Sequence, residues 1–119
     1  MQEFGYRKLV VWKEARKLVG VVYSLTKEFP KYEIFGLTSQ TRRAAVSIVA
    51  NVAEGWLRRS VVDKRHFVEM AQGSLMELDT EIDVSYEAKY INLQEYDDFV
   101  QRVHLVNYLL DRYCKAIGA

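Results

Sequence analysis

Residues 92–117 read NLQEYDDFVQRVHLVNYLLDRYCKAI, and hydrophobic side chains recur through this stretch at alternating spacings of three and four. The repeat consists of Tyr96, Phe99, Val103, Val106, Leu110, Tyr113 and Ile117. Such a seven-residue repeat aligns its members along one side of a helix and is typical of helices that pack at a shallow crossing angle. Asn92 followed by Glu95 matches a capping box, which predicts that a helix starts here.

Two segments in the first half of the chain show the same three–four spacing. The first extends from about residue 9 to residue 29, after which Pro30 cannot continue a helix. The second carries small side chains around much of its circumference, which permits close approach of neighbouring helices. Thr38 or Ser39 is expected to cap its N-terminus, and Gly55 is expected to end it in a left-handed conformation.

A third helix is predicted between these segments and the C-terminal one. Ser60 followed by Asp63 resembles a capping box, with Asp in place of the usual Glu. The helix is expected to fade near Tyr90. Gly73 lies inside it at a cost of about 1 kcal/mol relative to alanine, which suggests a close contact at this position.

The four segments predict an all-α fold, an antiparallel four-helix bundle with up-down-up-down topology. All three connections are short, and short links force consecutive helices to run antiparallel. A chain of 119 residues fits one domain, which comprises residues 1–119. The side chains expected to be largely buried are Trp12, Leu18, Val22, Ile48, Leu78, Phe99, Val106 and Leu110.

Charge is unevenly distributed along the chain, although the net charge is only +1. Residues 1–66 contain thirteen Lys and Arg against six Asp and Glu, a balance of +7. Residues 67–119 contain four against ten, a balance of −6. One interpretation is that basic helices pair with acidic helices inside the bundle. The other is that a basic surface is kept for a polyanion.

Cysteine content and the N-terminal sequence predict a cytoplasmic protein. Cys114 is the only cysteine and cannot form an intrachain disulfide, so the chain lacks the disulfide bonds that stabilise small secreted domains. The N-terminal residues MQEFGYRK lack the apolar core of a signal peptide, and the longest aliphatic runs are too short to span a bilayer. We therefore expect no membrane partner.

No set of residues has the composition of a catalytic, cofactor or metal site. A di-metal site in a bundle needs inward glutamates and Glu-x-x-His pairs, and only Asp63 with His66 comes near this pattern. Ser47 and Ser74 lie beside alanine and leucine, and we interpret them as packing residues rather than nucleophiles. We predict that the protein is not an enzyme, with no catalytic residue, no cofactor and no metal ligand.

Asn51 and Glu54 lie in an otherwise apolar helix. We interpret Asn51 as a buried polar residue that fixes the register of the core, as single polar residues do in coiled coils. Glu54 is expected to bond backbone groups in the neighbouring loop. This structural interpretation is favoured over catalysis by the pair.

Two clusters of basic residues are the candidate nucleic-acid-binding site. One lies in the first turns of the second helix, and the other lies around the start of the third. They consist of Arg42 and Arg43, and of Arg58, Arg59, Lys64 and Arg65, while Lys13, Arg16 and Lys17 add charge along the first helix. In an up-down bundle these two helix starts lie at opposite ends, so the clusters form two patches. Solvated or ion-paired surface is one interpretation, and contact with a phosphate backbone is the other.

Three stretches of sequence carry a resemblance to a known family. They are LVVWKEARKLV at 9–19, FPKYEIFGLTSQTRRAAVSIVANVAEG at 29–55 and FVEMAQGSLMEL at 67–78. Together they resemble the four-helix-bundle family first described as open reading frames in intervening sequences of 23S ribosomal RNA genes. That family is similar to the accessory variability protein of diversity-generating retroelements.

The resemblance implies an up-down four-helix subunit that assembles into a ring-like homopentamer. For the retroelement relatives it also implies a basic barrel that binds nucleic acid and a reverse transcriptase. It supplies no catalytic residues. Apart from the resemblance, Val10, Val21, Val61 and Val62 add apolar surface outside the main stripes, which favours an interface between subunits.

Two functions follow from these observations. The first is a non-enzymatic oligomeric module that binds nucleic acid, a nucleic-acid enzyme such as a reverse transcriptase, or both. The alternative is a purely structural or protein-interaction bundle with no role in nucleic-acid binding. Charge pairing discriminates between them, because arginines held in ion pairs with the acidic residues of the third helix would be neutralised within the bundle.

Overall fold

Four α-helices account for most of the chain. The computed structural model describes residues 3–118, and the outer limits of the predicted domain, residues 1–2 and 119, lie outside these residues. Two short 3₁₀ helices, Gly5–Lys8 and Lys31–Glu33, precede the first and second α-helices, and residues 3–118 contain no strand. The predicted all-α four-helix bundle is confirmed. Its helices are α1 (Val10–Thr26), α2 (Leu37–Leu57), α3 (Val61–Glu87) and α4 (Leu93–Ile117).

The helices pack in antiparallel order around a shared core. Helix α2 packs on α1 and α3, and α4 packs on α3 and α1, which closes the bundle. The connections comprise residues 27–36, 58–60 and 88–92, and such short links leave consecutive helices antiparallel. The 27 residues of α3 rise about 40 Å and nearly fill the 43 Å long axis of the molecule.

The predicted hydrophobic stripes form this core. All eight side chains expected to be buried are less than a tenth exposed, from Trp12 at 7% to Leu110 at 0%. The α4 repeat contributes its central members to the core and leaves its outer members, Tyr96, Tyr113 and Ile117, partly buried against it. The three–four spacing therefore predicted both the helices and the faces that they bury.

Two helix starts are capped as predicted. At α4, the Asn92 side chain accepts a hydrogen bond from the backbone N–H of Glu95 at 2.8 Å, and the Glu95 carboxylate accepts one from the N–H of Asn92 at 2.9 Å. At α3, the Ser60 hydroxyl accepts a bond from the N–H of Asp63 at 3.0 Å. Each cap satisfies backbone donors that have no partner within the helix.

The predicted cap of α2 is wrong. The helix starts at Leu37, before Thr38 and Ser39, and neither of these side chains caps it. Instead, the Glu33 carboxylate accepts a hydrogen bond from the backbone N–H of Leu37 at 3.2 Å. The 3₁₀ turn of the preceding connector brings Glu33 back to the helix start, where a negative charge also complements the helix dipole.

Glu33 also joins this connector to the turn between α3 and α4. Its second carboxylate oxygen accepts a hydrogen bond from the Tyr90 hydroxyl at 2.8 Å, and the Tyr32 hydroxyl lies 3.1 Å from that of Tyr90. These two hydrogen bonds, that to Tyr32 first, raise the pKa of Tyr90 above its ordinary value. Helix α3 ends at Glu87 rather than near Tyr90, because Lys89 adopts a left-handed backbone with φ of 66°.

The two glycines singled out in the sequence have different roles from those predicted. Gly55 does not end α2, which continues to Leu57. A Cβ at Gly55 would lie 2.8 Å from the Cβ of Phe67, so this glycine permits close approach of α2 and α3. Gly73 makes no close contact with other parts of residues 3–118, because a Cβ there would meet no atom of another element within 4 Å.

Candidate nucleic-acid interface

The topology collects most of the basic residues in one half of the bundle. We define the basic half as residues 3–18, 47–74 and 105–118, and the acidic half as residues 19–46 and 75–104. The basic half contains eleven Lys and Arg against six Asp and Glu, a balance of +5. The acidic half contains six against ten, a balance of −4. The uneven charge of the sequence thus becomes a polarity along the long axis of the bundle.

The six candidate binding residues divide between these halves. Arg58 and Arg59 lie in the turn between α2 and α3, and Lys64 and Arg65 lie in the first turns of α3, all in the basic half. The second cluster, residues 42–43, lies near the start of α2 in the acidic half. The clusters are separated by most of the length of α2, so they form two patches in one subunit, as the topology predicts.

Among residues 3–118, no ion pair involves a candidate residue. Within residues 3–118, the pairs at salt-bridge distance are Lys17 with Glu14 at 3.1 Å and Lys115 with Asp111 at 3.0 Å. Each pair lies within a single helix. The interpretation that basic helices pair with acidic helices through direct ion pairs is therefore wrong for the described residues. The acidic residues of α3 leave the charges of both clusters available.

Three of the four candidates near the α2–α3 turn contact the rest of the bundle. The Arg58 guanidinium lies 4.5 Å from the centre of the Phe67 ring. The Lys64 ammonium group donates a hydrogen bond to the backbone carbonyl of Trp56 at 2.8 Å. The guanidinium of Arg65 lies against Gly118 at the end of α4, although the residue is exposed overall, and Arg59 is exposed. Tethering keeps the cations on the surface in fixed positions without removing their charge.

Sequence reasoning missed the contribution of the N-terminal 3₁₀ helix to the basic half. The Tyr6 ring packs against the rings of Trp12 and Trp56, with centroid distances of 5.3 and 6.1 Å. A Cβ at Gly5 would lie 2.6 Å from the Trp56 ring, so glycine is needed for this approach. These contacts dock the segment on α1 and α2 and bring Arg7 to the basic half. The aromatic residues were visible in the sequence, but their pairing over fifty residues was not.

A groove along α1 extends the basic surface. The guanidinium groups of Arg7 and Arg16 lie 5.2 and 5.6 Å from the Trp12 ring. The groove has a volume of about 630 Å³ and is also lined by Lys13 and Lys17 and by two carboxylates, Glu3 and Glu14. Glu14 pairs with Lys17, so among residues 3–118 the unpaired charge that the first helix adds to this half of the molecule comes from Lys13 and Arg16.

The second cluster has different surroundings. The Arg42 Nε donates a hydrogen bond to the Thr26 hydroxyl at 2.8 Å, and its guanidinium lies 4.6 Å from the centre of the Tyr23 ring. Arg42 and the exposed Arg43 line a cavity of about 620 Å³ between α1, the connector and α2. This arrangement holds one arginine in a fixed pose inside a concave surface.

Polar contacts join α2 to α3 beneath these surfaces. The Ser47 and Ser74 hydroxyls are 2.9 Å apart. Asn51 is 8% exposed, and its amide donates to the carbonyl of Ser47 at 2.8 Å and to its hydroxyl at 3.1 Å. Both Asn51 bonds lie within α2, so its predicted role in setting the register between helices stays a prediction. Glu54 is exposed and forms no hydrogen bond among residues 3–118, so its predicted contact with the loop is wrong.

Glu81 is a buried carboxyl group that sequence reasoning did not single out. It lies two turns after Ser74, on the side of α3 that faces α2, and is 7% exposed. Its Oε1 is buried with no hydrogen-bond partner among the described residues. Burial, and secondarily the nearby charge of Glu77, raises the pKa of Glu81 to about 7. Its carboxyl group therefore titrates near neutral pH.

The part of the chain that the structure describes contains neither a group of metal-ligating side chains nor a helix suited to span a membrane. Residues 3–118 contain no cluster of three or more His, Cys, Asp or Glu side chains placed to hold a metal ion, and the Asp63–His66 pair stands apart from any such group. None of the helices in this part of the chain combines the length and the apolar character that crossing a bilayer requires.

Comparison with known proteins identifies the family. The family model described as "23S rRNA-intervening sequence protein" matches residues 7–112, which include nearly all of the bundle. The chain belongs to this family. The match begins at Arg7 in the N-terminal 3₁₀ helix and ends in α4, so it covers both basic clusters. No curated protein matches the chain.

A solved structure shares the fold. It is a protein of unknown function from the S23 ribosomal protein family of Bacteroides thetaiotaomicron, with a TM-score of 0.82 and 21% sequence identity. The similarity covers 89% of this chain and 99% of that one. At this identity the likeness concerns the fold alone, and it supports the arrangement of the four helices described above.

Proposed function

We propose that the protein is a non-enzymatic, oligomeric helical module that binds nucleic acid through its basic half. The observation that carries this proposal is the group of cations around the α2–α3 turn, which form no ion pair within residues 3–118. Several adjacent cations attract a phosphate backbone and gain affinity by releasing its counterions. The residues that supply them are Arg58, Arg59, Lys64 and Arg65.

The form of this surface favours contact with phosphates rather than with bases. Arg59 and Arg65 are exposed on a short turn and on the first turns of a helix, and a guanidinium can donate two parallel hydrogen bonds to a phosphate. Phosphate contacts position a nucleic acid without reading its sequence. We therefore expect binding that is largely independent of base sequence.

Apolar side chains beside these cations support assembly with a second protein surface. Leu57 is 71% exposed, Val62 is 78% exposed and Val10 is 60% exposed, all in the basic half. Exposed apolar side chains grouped in this way mark interaction surfaces. Self-assembly, for which the family resemblance implies a homopentamer, would repeat the weak basic patch and raise its avidity. A nucleic-acid enzyme such as a reverse transcriptase is a second candidate partner.

A purely structural or protein-interaction role is the alternative. It is favoured by large apolar side chains of α2 and α3 that are between 44% and 49% exposed. Exposed apolar side chains support contact with another protein whether or not nucleic acid is bound. They are Val46, Met70, Met76 and Val84.

A binding experiment with matched charge reversals tests the proposal. Fluorescence anisotropy would measure the affinity of the protein for labelled single-stranded and double-stranded nucleic acid of mixed sequence. The test variant carries Arg58→Glu and Arg59→Glu. The control carries Lys89→Glu and Arg102→Glu, two exposed cations of the acidic half, and therefore has the same net charge.

The two variants should differ in their affinity for nucleic acid. The test variant should bind at least about tenfold more weakly at moderate salt, because it loses two phosphate contacts. The control should bind within about twofold of the natural protein. Equal losses in both variants, or no detectable binding at low salt, would reject the basic half as a nucleic-acid interface. Light scattering on each variant establishes that the state of assembly is unchanged.

A further inference from the structure

A cavity near the start of α2 has the features of a site for a small phosphorylated ligand. It has a volume of about 620 Å³ and lies between the end of α1, the connector and the first turns of α2. An adjoining cavity of about 380 Å³ shares its Ile34, Thr38 and Arg42 walls and adds Lys27 and Lys31. Within residues 3–118, no Asp or Glu lines either cavity, although both lie in the acidic half of the molecule. Glu77 lies nearby, since it lines a smaller cavity with Arg43.

Arg42 is preorganised in this cavity. Its Nε donates to the Thr26 hydroxyl at 2.8 Å, and Thr26 is itself 3% exposed and donates to the Val22 carbonyl at 2.7 Å. The Tyr23 ring supports the guanidinium at 4.6 Å. Because only Nε is used in this network, the two terminal nitrogens remain as donors. The entropy of fixing the side chain is already lost in the free protein, which lowers the cost of binding an anion.

The remaining walls supply further donors and an apolar side. Arg43 brings a second guanidinium to the cavity, and Ser39 brings a hydroxyl. Ile34 and Val46, which are 48% and 44% exposed, form an apolar part of the lining. A phosphomonoester carries a charge of about −2 and three strong acceptor oxygens, which two guanidinium groups and a hydroxyl can satisfy.

From this geometry we infer that the Arg42–Arg43 cavity binds a phosphomonoester attached to an organic group, such as that of a nucleoside monophosphate. The same chemistry is present in the 5′-phosphate at the end of a nucleic-acid strand. The site is separate from the basic half by most of the length of α2, and it does not require the function proposed for that half. In this account the two basic clusters recognise phosphate in different forms.

A titration followed by amide NMR tests the inference on the full chain. The probes are adenosine monophosphate, inorganic phosphate, adenosine, and a short oligonucleotide with either a 5′-phosphate or a 5′-hydroxyl. Adenosine monophosphate should shift the amide signals of residues 34–47 in a saturable way. Inorganic phosphate should shift them more weakly, and adenosine should not shift them. A preference for the 5′-phosphorylated strand would assign the site to strand ends, and its absence would assign it to free nucleotides.

Two variants remove arginines of the cavity, and a third removes an arginine elsewhere as a control. Arg42→Gln should weaken adenosine monophosphate binding at least about tenfold. Arg43→Gln, at an exposed position, should also weaken it and guards against misfolding of the first variant. Arg112→Gln removes an arginine that also lies beside a tyrosine ring, Tyr108 at 5.8 Å, but lines neither cavity, and binding should stay within about twofold.

Several results would overturn the inference. One is the absence of saturable shifts with adenosine monophosphate at about 10 mM. Another is an equal loss of binding in the Arg43→Gln and Arg112→Gln variants. The variant with Arg58→Glu and Arg59→Glu separates the two proposals, because it should lose nucleic-acid affinity and keep the affinity for adenosine monophosphate. Loss of both would place the nucleotide in the basic half and contradict the cavity assignment.

Discussion

The two ends of the bundle use arginine in contrasting surroundings. Around the α2–α3 turn, Arg59 and Arg65 are exposed among other cations and apolar side chains. Near the start of α2, Arg42 is held by the Thr26 hydroxyl and the Tyr23 ring inside a cavity. An open group of cations suits a long polyanion that makes many contacts, whereas a fixed arginine in a cavity suits a compact anion. Residue type alone does not distinguish these cases; the packing beneath each arginine does.

The contrast depends first on the core that holds the two ends apart. Leu110 is fully buried in the α4 repeat. Replacing it with alanine removes buried methyl groups and leaves a cavity, so Leu110→Ala should lower the free energy of unfolding by about 2–5 kcal/mol. Urea unfolding followed by circular dichroism measures the change. A loss below about 1 kcal/mol would mean that α4 is not packed as described.

The next largest change in the free energy of unfolding is expected where α2 and α3 approach closely in the basic half. Gly55→Ala places a Cβ 2.8 Å from that of Phe67, whose ring lies beside the Arg58 guanidinium. This overpacking should cost about 1–3 kcal/mol of unfolding free energy, despite the better helix propensity of alanine. Thermal and urea unfolding check the result. An equally stable or more stable variant would show that the two helices can separate without penalty.

The buried carboxyl group of Glu81, in the acidic half, should make the stability of the protein depend on pH. The pKa of Glu81 is raised to about 7 in the folded protein, so between about pH 4.5 and pH 7 the folded state holds a proton that the unfolded chain releases. Stability should therefore fall as pH rises through this window. The acidic Glu77 on the same helix adds to the effect, and Arg43 on α2 shares a small cavity with Glu77.

Glu81→Gln should remove that pH dependence. At about pH 8 the variant should be more stable than the natural protein by about 1–2 kcal/mol, after allowance for solvent screening, and at about pH 5 the two should be similar. Urea unfolding at both pH values measures the difference. Glu69→Gln, at an exposed position of the same helix, is the control and should change neither value. A Glu81→Gln variant with an unchanged pH profile would contradict the assignment.

The smallest expected change in the free energy of unfolding is at Gly73. Gly73 is exposed in α3, with open space where a Cβ would lie. Gly73→Ala should raise the free energy of unfolding by about 0.5–1 kcal/mol, because alanine favours the helix and restricts the unfolded chain. If the variant is instead less stable and its assembly is weakened in light scattering, Gly73 lies at a contact between subunits.

The sequence predicted features whose partners are close in the chain. Both capping pairs, at Ser60 and Asn92, involve residues three positions apart, and the α4 stripe depends on one helical period. The Glu33 cap of α2 was missed because a 3₁₀ turn brings that carboxylate to the helix start. Its bond to Tyr90 joins residues 57 positions apart, and no local pattern indicates such a pair.

The candidate sites divide in the same way. The cations at residues 58–65 are adjacent in the sequence, so their cluster was visible from it. The cavity around Arg42 was not, because its walls come from α1, the connector and α2. Arg7 joins the basic half through aromatic contacts between Tyr6 and Trp56, which only the folded chain brings together. Sequence patterns located the charges, but packing determined which of them act together.

The salt dependence of nucleic-acid binding shows whether the basic half contacts phosphates. Plotting the logarithm of the association constant against that of salt concentration, from about 50 to about 200 mM NaCl, gives a slope that reports the number of phosphates neutralised. Replacing Arg58 and Arg59 with glutamate should reduce the magnitude of this slope by about two, while replacing Lys89 and Arg102 should leave it unchanged. The same slope in all three proteins would contradict binding through the basic half.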